Sequence, residues 1–202
     1  MFVDYSYYLL KHLYKGVLFR KKEETKAVHL TFDDGPIPGV TAWVLDVLRQ
    51  YDIKATFFCI GDNVRKHPDI YAQILAEGHA VGNHSFCHLR GFWTGSGKYV
   101  ANVEKAAEYI DSQLFRPPHG LMRMVQKKAL EKKYQIVMSD VISCDYDRDL
   151  KPEKVLNNVR RHVRNGSIIV FHDSLKAEPN LRFVLPRAIE FLKSEGYEFW
   201  KL

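Results

Sequence analysis

Short apolar runs rich in Val, Ile and Phe alternate with longer amphipathic segments from Ala27 to the end of the chain. The apolar runs predict strands over 27–32, 55–60, 79–81, 115–116, 135–138, 166–171 and 197–202. Apolar residues at helical spacing predict helices over 40–50, 69–77, 99–113, 121–132, 152–164 and 181–194. The regular alternation of strand and helix predicts an α/β fold with mostly parallel strands in one domain.

Polar side chains occur where the predicted strands end. They are Asp33, Asp34, His84, Arg116, Asp145 and His172. Because the carboxyl ends of parallel strands meet along one rim, side chains that are distant in sequence converge there. The pattern therefore predicts one functional site.

The composition fits one ordinary domain, with 202 residues, 46% of them hydrophobic and 13% aromatic. The formal net charge of +6 is spread along the chain and is not interleaved with aromatic residues, which argues against a nucleic-acid partner. Three cysteines without a Cys-x-x-Cys spacing give no sign of a disulfide framework or a structural zinc site.

The first 25 residues are apolar and aromatic in part, but Lys11, His12 and Lys15 interrupt the run. This pattern predicts a helical extension over 1–25 that docks on a catalytic domain over 26–202, with interfacial membrane attachment as the alternative. No signal peptide is legible, and no uncharged run reaches the ~18 residues of a membrane span. The default expectation is a cytoplasmic or peripherally membrane-associated protein without stable membrane insertion, and the location stays open.

His84 and His88, read together with the adjacent carboxylates Asp33 and Asp34, indicate a metal site. Two imidazoles and one carboxylate can hold a divalent ion, and the second carboxylate is left free beside it. Three protein ligands leave positions open for water and substrate, as in catalytic sites. The alternative is that the histidines are surface or capping residues. With the carboxylate pair, the pattern favours a metallohydrolase.

Four motifs occur in order along the chain. They are Thr-Phe-Asp-Asp-Gly-Pro from position 31, His-Ser-x-x-His from 84, Arg-Pro-Pro-x-Gly from 116 and Phe-His-Asp from 171. Together the motifs resemble those of the polysaccharide deacetylase family, carbohydrate esterase family 4. The resemblance implies a distorted (β/α)7-type barrel, a zinc or similar divalent ion, and hydrolysis of an N-acetyl group from a sugar polymer.

The resemblance assigns the metal ligands to Asp34, His84 and His88. These oxygen and nitrogen donors suit Zn²⁺ best, and by ligand type they also accept Co²⁺, Ni²⁺ or Fe²⁺. Cys87 lies between the two histidines and is expected to be a bystander packed under the loop, because the family does not use that position; the alternative is a fourth metal ligand.

The resemblance also assigns the groups that move protons. Asp33 is the implied base for the attacking water, and His172 is the implied acid for the leaving nitrogen. Arg116 is expected to keep Asp33 ionised, and Asp145 to orient His172 and raise its pKa. The alternatives are a turn-stabilising Asp33, a capping His172 and a surface ion pair for Arg116.

Four residues are expected to contact the substrate. Tyr146 is expected to wall the acetyl pocket with Phe171 packed beneath it, and Pro117 to line the site. Trp93 is expected either to stack on a sugar face or to be a buried anchor of the loop after the histidines, and the two readings stay open. Many family members have Asp-x-x-Asp-Trp where this chain has Ile142 and Tyr146 as the first and last residues. Pocket shape and substrate preference are therefore expected to differ from those members.

The predicted function is metal-dependent removal of N-acetyl groups from a peptidoglycan- or chitin-like polymer of N-acetylglucosamine. Two alternatives stay open: an O-acetyl esterase of the xylan type on the same scaffold, and a noncatalytic carbohydrate-binding relative. The expected partner is an acetylated sugar polymer or oligomer, and the sequence leaves the oligomeric state open.

Overall fold

The computed structural model describes residues 13–202. Within that range one curled, parallel sheet forms a distorted (β/α) barrel, which confirms the predicted fold class. Its strands are β1 Ala27–Asp33, β2 Thr56–Cys59, β3 Ala80–Asn83, β4 Leu114–Phe115, β5 Gln135–Ile136, β6 Val141–Ile142, β7 Ser167–His172 and β8 Glu198–Phe199. The strand order is β5-β4-β3-β2-β1-β7-β6, and β8 pairs with β1.

Seven α-helices accompany the sheet within the described range. They are α1 Val40–Gln50, α2 Gly61–Lys66, α3 Pro68–Ala76, α4 Ser96–Ala106, α5 Met124–Leu130, α6 Pro152–His162 and α7 Glu178–Ser194. The apolar faces of α1, α6 and α7 pack on the outer face of the sheet, which buries the main hydrophobic core. No described helix has the length and apolarity that crossing a bilayer requires.

Side-chain alternation along β1 separates the core from the site. Val28, Leu30 and Phe32 point into the main core, whereas Thr31 and Asp33 point to the opposite face, because neighbouring residues of a strand face opposite sides. The same alternation holds in β7, where Phe171 belongs to the core and its ring stacks 6.0 Å from that of Phe32.

The alternation in β7 corrects the expectation that Phe171 contacts the substrate. Its side chain is fully buried, and it lies on the face of β7 opposite to His172. The expectation was wrong because adjacent residues of one strand cannot both face the same cavity.

A second core cluster forms where the N-terminal segment meets α4, α5 and the short strands. Tyr14 and Phe19 are buried there, and the Tyr14 hydroxyl donates to the carbonyl of Met122 at 2.5 Å. Residues 14–25 form a turn and isolated bridges at Leu18 and Arg20, so the helix predicted over 1–25 is not seen in this part. Residues 1–12 lie outside the described residues, and the division at residue 25 stays a prediction.

Three predicted helices are shorter in the structure, one of them only because α6 ends at His162 instead of residue 164, and α2 and β6 were not predicted. The helix expected over 99–113 ends at Ala106, and the chain then returns to the sheet, where the Ser112 hydroxyl donates to the Val81 carbonyl at 2.7 Å. The helix expected from Leu121 begins at Met124, because the Gln126 side chain caps the Arg123 backbone N–H at 2.8 Å.

Candidate functional site

A cavity of about 420 Å³ opens at the carboxyl ends of the strands. Of the site residues expected from the sequence, its lining includes Asp33, Asp34, His84, His88, Arg116, Pro117, Tyr146 and His172. Asp33 and His172 are the last residues of the adjacent strands β1 and β7 and are paired in register. The predicted convergence on one rim is therefore present in the structure.

Asp34, His84 and His88 form a group in which one ligand atom from each residue lies within 4.8 Å of the others. Asp34 Oδ1 is 3.3 Å from His88 Nε2 and 3.8 Å from His84 Nε2. The backbones of Asp34 and His88 adopt positive φ values of 88° and 53°, a conformation that is uncommon for residues other than glycine and that is found often at functional sites.

The donor atoms of this group fit a divalent cation. Asp34 Oδ1 is buried and has no hydrogen-bond partner within the described structure, an arrangement that costs free energy unless a cation satisfies the oxygen. His84 Nδ1 lies 2.8 Å from the Arg116 carbonyl, so Nδ1 carries the proton and Nε2 keeps a free lone pair. Burial lowers the pKa of His84 to about 4, which keeps the imidazole neutral, as a metal ligand must be.

Asp33 is held by a buried ion pair. Arg116 Nη1 donates to Asp33 Oδ1 at 2.6 Å and lies 2.7 Å from the Thr31 hydroxyl, while Nη2 donates to the Met138 carbonyl at 3.0 Å. The guanidinium also lies 4.0 Å from the centre of the Phe58 ring. Both charged partners are nearly inaccessible to solvent, so this pair is not a routine surface ion pair.

The pKa of Asp33 lies below its ordinary value. Burial acts to raise it, but the charge of Arg116, the smaller effect of protonated His172 and the Arg116 hydrogen bond outweigh that effect. Since Oδ1 accepts from Arg116, Oδ2 is the oxygen left to accept a proton, and it lies 4.0 Å from His84 Nε2. Asp33 is thus an oriented, ionised carboxylate beside the candidate metal site.

His172 is held by Asp145, which is fully buried. Asp145 Oδ1 lies 2.7 Å from His172 Nδ1, and Oδ2 accepts the His172 backbone N–H at 2.8 Å. Burial acts to lower the pKa of His172, but Asp145, with smaller contributions from Asp33 and Asp34, raises the pKa to about 9. The imidazole is therefore protonated at neutral pH, as a proton donor must be.

Two supporting residues were not identified from the sequence. Asn180 Nδ2 donates to the backbone carbonyls of Asp145 and Asp147 at 3.1 and 2.9 Å and so fixes the loop behind His172. Asp173 accepts the Gly35 backbone N–H at 3.0 Å and the Thr41 hydroxyl at 2.6 Å, which joins the end of β7 to the loop after Asp34. The Phe-His-Asp motif contains Asp173 and could have indicated it, although no role was expected for that residue, whereas no motif contains Asn180.

Comparison with known proteins identifies the family. The polysaccharide deacetylase family model matches residues 20–137. A peptidoglycan-N-acetylglucosamine deacetylase of Bacillus cereus is 34% identical over 181 residues, which cover 86% of this chain and 85% of that protein. The chain belongs to the polysaccharide deacetylase family.

Solved structures of the family have the same fold. A peptidoglycan N-acetylglucosamine deacetylase in complex with 4-naphthalen-1-yl-N-oxidanyl-benzamide superposes with a TM-score of 0.87 at 30% identity, covering 93% of this chain and 91% of that chain. A family 4 carbohydrate esterase pseudoenzyme from Bacillus anthracis superposes with a TM-score of 0.79 at 25% identity, covering 91% of this chain and 66% of that chain. Because the fold is common to an enzyme and a pseudoenzyme, catalysis must be argued from the site.

The remaining candidate residues of this polysaccharide deacetylase differ in position. Tyr146 is 37% exposed, and its ring meets that of His172 edge-on at 5.0 Å, so it forms a wall of the cavity. Trp93 is 66% exposed and packs edge-on against Phe92 outside the cavity lining. Cys87 is exposed and is not part of the candidate metal group found among the described residues.

Proposed function

We propose that the protein is a metal-dependent deacetylase that hydrolyses the N-acetyl group of N-acetylglucosamine residues in a poly- or oligosaccharide. The observation that carries the proposal is the meeting, in one cavity, of the Asp34–His84–His88 group, an ionised Asp33 and a protonated His172. The relatives named as peptidoglycan-N-acetylglucosamine deacetylases support the choice of an acetylated amino sugar.

We propose Zn²⁺ as the metal, held by Asp34, His84 and His88. Two neutral imidazoles and one carboxylate are a common ligand set of catalytic zinc. When bound there, such an ion lowers the pKa of water and polarises a carbonyl oxygen. Metal analysis of the purified protein tests this assignment.

Asp33 acts as the base in the proposed reaction. Water attacks the acetyl carbon, and Asp33 Oδ2 accepts the proton that the water loses. Arg116 keeps the carboxylate ionised and leaves Oδ2 as its free oxygen. Positioned general bases contribute about 10²- to 10⁴-fold to the rate.

His172 acts as the acid. With Nδ1 bound to Asp145, Nε2 is the nitrogen available to donate a proton to the leaving amine as the carbon–nitrogen bond breaks. The products are acetate and a free amino group on the sugar. Tyr146 and Pro117 line the space next to these groups and are the proposed walls of the acetyl pocket.

Acetate release from a panel of N- and O-acetylated oligosaccharides, with and without a chelator, tests the proposal. We expect release from N-acetylglucosamine oligomers that the chelator abolishes and that Asp33→Asn reduces at least about 100-fold. Release from O-acetylated xylan alone would favour the esterase alternative. Bound metal without acetate release from any substrate would assign the protein to the noncatalytic relatives.

A further inference from the structure

Two cations lie at the mouth of the cavity on opposite sides of the reacting groups. Arg90 lies beyond the metal ligand His88, and Lys176 follows β7 beyond His172. Both side chains are exposed and line the cavity, and neither has an ion-pair partner within residues 13–202. We call Arg90 and Lys176 the rim cations.

The backbones that carry the rim cations are held in place. The Arg90 carbonyl accepts the Thr94 hydroxyl at 2.8 Å and the Trp93 backbone N–H at 3.2 Å. On the other side, the Lys176 carbonyl accepts Arg148 Nε at 3.2 Å. Each long side chain therefore starts from an ordered position at the edge of the cavity.

The surroundings also place each rim cation relative to the reacting groups. Lys176 Nζ lies 5.5 Å from the centre of the Tyr146 ring, which itself contacts His172. On the metal side, His119 also lines the cavity, and its ring centre is 4.6 Å from that of His88, two residues before Arg90; burial, with smaller effects of His88 and Arg90, lowers the pKa of His119. A sugar bound with its acetyl group at the reacting centre has neighbouring sugars that must pass over this edge.

The charge of the cavity mouth is unbalanced. The carboxylates in the lining are Asp33 and Asp34, which serve as base and metal ligand in the proposed reaction. A neutral glycan gives the rim cations no partner, whereas a glycan with carboxylate substituents on the sugars flanking N-acetylglucosamine does.

We propose that Arg90 and Lys176 are specificity residues that select an acetylated glycan carrying carboxylates next to the reacting sugar. This inference rests on the proposed deacetylase function and names the substrate class of the same site. Exposed ion pairs contribute modestly, so each cation is expected to change kcat/KM by about two- to fivefold. The effect falls on KM, because a cation that binds a flanking sugar acts equally on the bound substrate and on the transition state.

Three probes with the same reacting group test the proposal. They are a tetrasaccharide of alternating N-acetylglucosamine and N-acetylmuramic acid with free carboxylates, the same tetrasaccharide with its carboxylates converted to methyl amides, and a neutral tetramer of N-acetylglucosamine. Acetate release gives kcat and KM for each probe. We expect the free-carboxylate probe to have the lowest KM, and added salt to remove that advantage.

The variant Arg90→Gln/Lys176→Gln is compared with Lys154→Gln/Arg161→Gln, which removes the same charge from exposed positions of α6. We expect the ratio of kcat/KM between the charged and amidated probes to fall about tenfold in the rim variant and to stay unchanged in the α6 variant. Equal turnover of the charged and amidated probes by the unmodified protein would overturn the inference. So would equal losses in the two variants.

The three probes distinguish a wrong role for the rim cations from a wrong proposed function. Acetate release from all three probes without discrimination would reject the role of the rim cations and leave the deacetylase assignment in place. No acetate release from any probe would reject the deacetylase assignment and this inference with it.

Discussion

Replacing Asp145 with Asn tests how the protein keeps His172 protonated. Asp145 makes the largest contribution that raises the pKa of His172 from 6.5 to about 9, a difference of about 3 kcal/mol between the two protonation states. In Asp145→Asn this negative charge is absent, so the burial of His172 is no longer opposed by it and lowers the pKa of His172. Asn keeps the size of the side chain and an oxygen that can accept a hydrogen bond from the His172 Nδ1–H.

The expected result is a shift of the alkaline limb of activity to lower pH. Activity requires protonated His172, so it falls as pH rises through the pKa of that group. If the pKa drops by about two units, to about 7, the protonated fraction at pH 8 falls from about 90% to about 10%. We therefore expect kcat/KM to fall about tenfold at pH 8 and to stay near the unmodified value at pH 6.

The assay is acetate release measured from pH 5 to 10 for the unmodified protein and for Asp145→Asn. A bound cation offsets the contribution of Asp34 to the pKa of His172, so the quantity to compare is the displacement of the limb between the two proteins. Asp147→Asn is the matched control. It removes a carboxylate two residues away, which accepts a hydrogen bond from the Asp149 backbone N–H and makes no hydrogen bond to His172 within the described residues. An unmoved limb, or an equal loss at every pH, would refute the reasoning.

Three further predictions concern the base, the metal and the buried ion pair. Asp33→Asn should lower kcat by about 10²- to 10⁴-fold while metal content stays unchanged, and loss of metal would instead make Asp33 a ligand. Chelation should abolish acetate release and lower the melting temperature, and added Zn²⁺ should restore both. The variant His84→Ala should show neither recovery when Zn²⁺ is added. Activity that survives chelation would contradict the metal assignment. Arg116→Met should destabilise the protein by about 3–5 kcal/mol in urea unfolding, because it leaves buried Asp33 unpaired. The control Arg182→Met removes an exposed ion pair of the same 2.6 Å length and should lower the free energy of unfolding by at most about 1 kcal/mol. Similar losses of stability in the two variants would show that burial of the Asp33 pair does not matter.

Local pattern was sufficient to predict much of the fold. The strand over 27–32 and the helix over 40–50 lie where they were predicted, because their apolar spacing is regular and the turn Gly35-Pro36 and Gly39 separate them. The short strands β4 to β6 and the helix ends near Ala106 and Met124 were less accurate. Their bounds depend on hydrogen bonds such as that of Ser112 with Val81, whose partners are distant in sequence.

The chemistry of the site was largely legible in the amino-acid sequence by itself. The order of the motifs and their places at strand ends determined which carboxylates and imidazoles would meet, since parallel strands bring their carboxyl ends to one rim. The sequence also determined that Asp33 and Asp34 are adjacent, so that one can bind metal while the other stays free.

Tertiary structure alone decided which side of a strand each residue faces and what surrounds it. Phe171 and His172 are neighbours in sequence, yet one belongs to the core and the other to the cavity. The protonation of His172, the orientation of Asp33 and the lack of an ion-pair partner for Arg90 and Lys176 among residues 13–202 depend on burial and on groups from other elements. Those distances are set by how the sheet curls and how the loops pack, and no local pattern of residues contains them.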